Sequence, residues 1–122
     1  MTQNPLVTIG ITAYREGAYL KQAWDSVKLQ SSPYWKAVLI IDGDADKTTK
    51  EIFSKITHPS LMKIELNKNQ GPYFTRTLAL ENTDTDWYCH LDADDCLPLN
   101  AVEIITKYAE LHPEVEYIRG KS

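Results

Sequence analysis

Two short acidic stretches carry the chemistry this sequence offers. Asp92, Asp94 and Asp95 follow the largely apolar segment Trp87 to Leu91, and Asp42, Asp44 and Asp46 follow the apolar run Ala37 to Ile41. Hard divalent cations such as Mg2+ and Mn2+ take oxygen ligands, commonly one or two carboxylates together with the phosphates of a substrate. Side chains alternate along extended backbone, so Asp92 and Asp94 share one side. Aspartates in loops also cap helices, so their place in the fold decides their use. The Asp42 stretch opens like a calcium loop. However, Lys47 stands where such a loop needs its glycine and Phe53 where it needs its final glutamate, so calcium is rejected.

The remaining residues supply the elements that must hold these groups. Leu6 to Thr12 reads as a buried strand rich in β-branched residues. Leu20, Ala23, Trp24 and Val27 recur at helical spacing, which predicts a helix over Ala18–Gln30. The second strand, Lys36–Ile41, is fully apolar from Ala37, as when both sheet faces are covered. Thr48 and Glu51 have capping-box spacing, and Ile52, Phe53 and Ile56 would form the inner face of the helix they open. A third strand spans Leu61–Leu66. Gly71-Pro72 opens a third helix with Phe74 and Leu78 inward. Trp87–Leu91 is a fourth strand. Asn100 and Glu103 start a fourth helix, with Ala101, Ile104, Ile105, Tyr108 and Leu111 as its buried side, and Val115–Ile118 begins a fifth strand.

Strands alternating with helices imply right-handed crossovers and a mostly parallel sheet in a three-layer α/β/α domain. The expected strand order is 3-2-1-4. Ligands of such sheets bind beyond the carboxyl ends of the strands, which is where both acidic stretches fall. A dinucleotide fold is not expected, because no G-x-G-x-x-G follows the first strand.

The chain has 122 residues and a net charge of −4, which suits one domain covering 1–122. The acidic balance argues against nucleic-acid binding, which needs a basic face. No signal peptide opens the sequence and no apolar run approaches the ~20 residues of a membrane helix. Cys89 and Cys96 have neither a disulfide framework nor zinc-ligand spacing, so reduced thiols and a cytoplasmic location are expected.

Five stretches, in order, resemble the nucleotide-binding half of the family-2 glycosyltransferases with the GT-A fold. They are Val7–Glu16 (VTIGITAYRE), the helix Ala18–Gln30, Leu39–Asp46 (LIIDGDAD), Asn69-Gln70-Gly71 with Arg76, and Leu91–Asp95 (LDADD) followed by Pro98. The resemblance implies sugar transfer from a nucleotide-diphosphate donor, a UDP-sugar first, with Mn2+ or Mg2+. Thr12 and Tyr14 would line the base and ribose pocket, Asp42 would accept the imide N–H of uracil, and Arg76 would approach uracil or phosphate. Asp92 would face ribose, diphosphate and metal. Asp94 would hold the metal, with Asp95 the alternative ligand.

The family inverts the anomeric centre by attack of an acceptor hydroxyl on the donor sugar. Its carboxylate base lies in the second half of its domain. The chain is therefore expected to be the N-terminal part of a larger enzyme, inactive alone, with the acceptor unidentified. Departures from the family pattern are Ile41 for a first Asp, Asp44 for Ser, Arg15 for Asn and Thr77 for the Asn after the helix Arg. Two other readings stay open. One is a non-catalytic nucleotide-sugar-binding module. The other is a phosphatase, because Asp44-Ala45-Asp46-Lys47-Thr48 also resembles the D-x-D-x-T of haloacid-dehalogenase-like enzymes. His90 reads as a packed strand residue.

Overall fold

Four strands, β1 (Val7–Ala13), β2 (Trp35–Ile41), β3 (Leu61–Glu65) and β4 (Trp87–Asp92), alternate with four helices, α1 (Ala18–Lys28), α2 (Lys47–Lys55), α3 (Pro72–Glu81) and α4 (Ala101–Leu111). These elements come from a computed structural model that describes residues 7–111. All strand pairs are parallel and the sheet runs β3-β2-β1-β4, as the alternation predicts. The predicted fifth strand lies outside the described residues.

Strand alternation splits the core in two. Val7, Ile9, Ile11, Ala37, Leu39, Ile41, Trp87 and Leu91 face one way and pack with Leu20, Ala23, Trp24, Val27, Phe53 and Val102 of α1, α2 and α4. Val38, Ile40 and Tyr88 face the other way and pack with Ala79 of α3. The direction of chain travel explains this division. From β1 to β3 the chain moves outward in one direction, and then it crosses back to β4 on the far side of β1. Right-handed crossovers put helices of opposite travel on opposite faces. The reversal lies between β1 and β4, the place where an α/β sheet opens a ligand crevice.

Three local expectations are corrected. Helix α2 begins two residues earlier than a Thr48 cap allows, with Asp46 at its N-cap. The Asp46 carboxylate accepts from Thr49 Oγ1 instead of a capping box forming between Thr48 and Glu51. In α3 the buried residues are Thr75 and Ala79, while Phe74 is exposed and Leu78 half-buried. In α4 only Val102 is fully buried, and Ile104, Tyr108 and Leu111 are exposed. Its Glu103 carboxylate accepts from Ser31 Oγ at 3.0 Å and pairs with Lys107, so it does not cap the helix. The helix is anchored instead by Gln30, whose Oε1 accepts from the Val102 N–H at 2.9 Å.

Candidate functional site

A cleft of 410 Å³ lies at the carboxyl edge of the sheet. Thr12, Tyr14 and Glu16 enter it from the end of β1, Asp42 from β2, Asp92 and Asp94 from β4, and Asn69, Gly71, Pro72 and Thr75 from the start of α3. Five residues expected at the site, Thr12, Tyr14, Asp42, Asp92 and Asp94, therefore share one cavity. The parallel ladder brings them there, because Thr12 is in register with Asp92. The Ala93 N–H, donating to the Thr12 carbonyl at 3.1 Å, extends that pairing by one step.

Asp92 and Asp94 are exposed on either side of the fully buried Ala93, so extended alternation continues past the strand end. The chain then turns, with the Asp95 N–H on the Asp92 carbonyl at 2.9 Å. One ligand atom from each of Asp92, Asp94 and Asp95 lies within 4.8 Å of the others. Three carboxylates and no thiol or imidazole in the set suit a hard cation such as Mg2+ or Mn2+. Asp95 does not line the cleft. Arg76 does not either: it is exposed, with Nη2 3.9 Å from Asp92 Oδ1.

Asp42 is the buried member of the site. Its Oδ1 accepts from the Gly43 N–H at 2.8 Å and the Gln70 N–H at 2.8 Å, and its Oδ2 accepts from the Gly71 N–H at 2.9 Å. One carboxylate thus ties the loop after β2 to the loop before α3, and Oδ2 keeps capacity for one further donor. The tie needs two glycines. Gly71 sits at φ 88, where a side chain is strained. A Cβ on Gly43 would lie 2.1 Å from the Lys68 carbonyl carbon and 2.5 Å from the Asn69 nitrogen. Backbone cannot swing aside as a side chain can. Gly43→Ala is therefore expected to part the two loops and to destabilise the fold by about 1–3 kcal/mol. A urea denaturation midpoint equal to that of the unsubstituted chain would contradict this.

Two of the four departures from the family pattern, Arg15 and Asp44, have local explanations. Arg15 donates from Nε and Nη2 to the Asp44 carbonyl at 3.2 and 3.0 Å, and its guanidinium carbon lies 5.0 Å from the centre of the Tyr14 ring. It joins the loops after β1 and β2 and backs the cleft aromatic. Asp44 is exposed at φ 66, a left-handed conformation that aspartate tolerates better than most residues. Neither Asp44 nor Asp46 lines the cleft, and Asp46 is engaged with Thr49.

Sequence reasoning missed Glu16, Thr75 and His90. Glu16 accepts the Tyr14 N–H and so shapes the loop after β1. His90 Nε2 is 2.9 Å from Asp92 Oδ1, and its Nδ1 is 2.9 Å from the Tyr88 hydroxyl. Burial holds the His90 imidazole below the ordinary histidine range. The Asp92 hydrogen bond opposes that shift and the Arg76 charge adds to it. A period-two reading of β4 contains the missed signal, since Tyr88, His90 and Asp92 are alternate residues on one face.

The chain matches the model of the family described as Glycosyl transferase family 2 over residues 8–121. It is 32% identical over 100 residues to an uncharacterized glycosyltransferase of Haemophilus influenzae, covering 81% of this chain and 40% of that protein. It is 30% identical over 98 residues to a teichoic acid poly(glycerol phosphate) polymerase of Staphylococcus epidermidis, covering 79% of this chain and 14% of that protein. The chain thus spans less than half the length of either relative. Among solved structures, S. aureus TarS 1-349 superposes with a TM-score of 0.78 at 19% identity, over 88% of this chain and 33% of that one. The same TarS fragment has also been solved in complex with UDP and with UDP-GlcNAc. No helix among the described residues is long and apolar enough to cross a membrane. The family match spans nearly every residue, and both the α/β/α layering and the strand order agree with the GT-A fold: the chain belongs to glycosyl transferase family 2.

Proposed function

We propose that the cleft binds the nucleotide-diphosphate part of a sugar donor, a UDP-sugar, with a divalent cation held by Asp94 beside Asp92. The observation that carries this reading is the convergence of a buried acceptor, Asp42, an aromatic, Tyr14, and exposed carboxylates in one cavity. The two ends of the cavity suit different chemistries. Asp42 Oδ2 accepts the imide N–H of uracil, Tyr14 offers a face to the base, and Thr12 lies between them and Asp92. The Asp92–Asp95 turn provides the hard oxygen ligands. A cation bound there supplies charge neutralisation for the departing diphosphate. Arg76 stands beside Asp92 and adds positive charge for the phosphates. The acceptor site and the carboxylate base of an inverting transfer belong, in this reading, to the length by which such relatives exceed the chain.

The neighbour structures with UDP and UDP-GlcNAc support the choice of uridine. Isothermal titration of the chain with UDP, with and without Mn2+, tests the reading. UDP is expected to bind more tightly with the ion, and more tightly than ADP or GDP. Equal affinity with and without Mn2+, or no preference for uridine, would overturn it.

A further inference from the structure

We propose that His90 is a positioning residue that sets the orientation of the Asp92 carboxylate for the donor-bound cation. This rests on the donor-site reading above and goes one shell outward from it. The geometry assigns each hydrogen. A carboxylate only accepts, so the 2.9 Å contact to Asp92 Oδ1 requires the proton on His90 Nε2. Nδ1 is then an acceptor, and the Tyr88 hydroxyl 2.9 Å away donates to it. Thr12 Oγ1, 3.4 Å from the same Nε2, flanks the contact on the β1 side.

The base of this chain of hydrogen bonds is rigid. The Tyr88 and His90 rings stack with centroids 6.1 Å apart and planes at 30°. Tyr88 is buried, and its ring lies across Gly10 so closely that a Cβ there would fall 2.1 Å from the hydroxyl oxygen. The His90 side chain is 13% exposed whereas that of Asp92 is 51% exposed. A fixed, shielded donor therefore grips one oxygen of a solvent-facing carboxylate. The contact engages Oδ1, which Arg76 Nη2 also approaches at 3.9 Å, and leaves the second oxygen available to a ligand. Groups that orient a metal-binding carboxylate from behind typically change metal affinity by about 10–100-fold when removed.

The test combines binding with spectroscopy. His90→Leu is expected to weaken Mn2+-dependent UDP affinity by about tenfold or more, while UDP affinity in EDTA stays unchanged. His90→Gln is expected to recover most of the loss, because its amide nitrogen falls where Nε2 was. His90→Asn is not, because its nitrogen falls at the Nδ1 position. Nitrogen-15 spectra of labelled imidazole in the unsubstituted chain should show the Nε2–H tautomer. Tyr88→Phe, which deletes only the hydroxyl, should shift that tautomer population even if His90→Leu fails to fold. A chain that binds UDP with Mn2+ equally well as wild type, His90→Gln and His90→Leu would overturn the role of His90 alone. An Nδ1–H tautomer would do the same. Failure of the unsubstituted chain to bind UDP with Mn2+ would overturn the donor reading, and the positioning role with it.

Discussion

Asp94→Ala is expected to remove the Mn2+-dependent part of UDP affinity, a loss of about 100-fold or ~2.7 kcal/mol, with little change in melting temperature. The side chain is exposed at the turn after β4 and packs against no core cluster. Its oxygen lies within 4.8 Å of carboxylate oxygens of Asp92 and Asp95, so without a cation the three anions repel one another. Deleting one relieves that repulsion, and the apo variant should melt at the same temperature or slightly higher. With Mn2+ and UDP the order reverses, because only the unsubstituted chain gains stability from ligand binding. Asp95→Ala serves as the comparison. Asp95 is outside the cleft lining, so its loss should cost less affinity than that of Asp94. Calorimetry and thermal melts of the two variants measure both effects. Asp94→Ala with undiminished Mn2+-dependent affinity would remove Asp94 from the site.

The strands and their order were legible because burial on both faces writes an unbroken apolar run, as in Ala37–Ile41. The inner face of α1 was legible too, since large apolar residues at helical spacing met the sheet directly. Helix α3 shows where that logic stops. It approaches the sheet through Thr75 and Ala79, one turn apart, both small enough to let the backbone come close to the face formed by Val38, Ile40 and Tyr88. Reading the largest apolar residues as the inner ones therefore placed Phe74 inside when Thr75 is. In α4 the same assumption buried Ile104 and Leu111, whereas the helix meets the core chiefly through Val102, with Ile105 and Ala109 half-buried against it.

The candidate site divides along the same line. Carboxylates at strand ends announce themselves, because the end of an apolar run is visible in one dimension and the ladder register then gathers such ends at one edge. The partners of those carboxylates are not visible. Asp42 is held by the N–H groups of Gln70 and Gly71, 28 and 29 positions away, and a backbone N–H carries no residue-type signal. His90 was readable only by asking which residues share a face with Asp92, rather than which residues follow an apolar run.

Those hidden partners change what is expected of Asp42→Asn. Were Asp42 only a reader of the base, the amide would leave folding intact and cost the charged hydrogen bond to uracil. The observed carboxylate also accepts three backbone N–H bonds in a site that is 6% exposed. An amide keeps one accepting oxygen. If that oxygen stays with Gly43 and Gln70, the amide NH2 confronts the Gly71 N–H, two donors with nothing between them. If the amide flips, two N–H groups face NH2 instead of one. Either way a buried donor loses its acceptor and the remaining bonds lose their charge, an expected destabilisation of about 3 kcal/mol. The N-terminus of α3 starts at Gly71, so the cleft wall should loosen with it. UDP affinity is expected to fall by about tenfold or more, because the acceptor at the base end has become a donor. Pyrophosphate with Mn2+ binds only the Asp92–Asp95 end and should bind nearly as before. Chemical denaturation separates the stability loss from the binding loss, and titration with UDP and pyrophosphate, at a temperature where the variant remains folded, separates base from phosphate. A variant as stable as the unsubstituted chain would mean that the carboxylate does not hold the two loops together. Equal loss for UDP and pyrophosphate would mean that Asp42 acts on the whole cleft rather than at its base end. Phosphatase activity abolished by Asp44→Asn would overturn the donor reading itself.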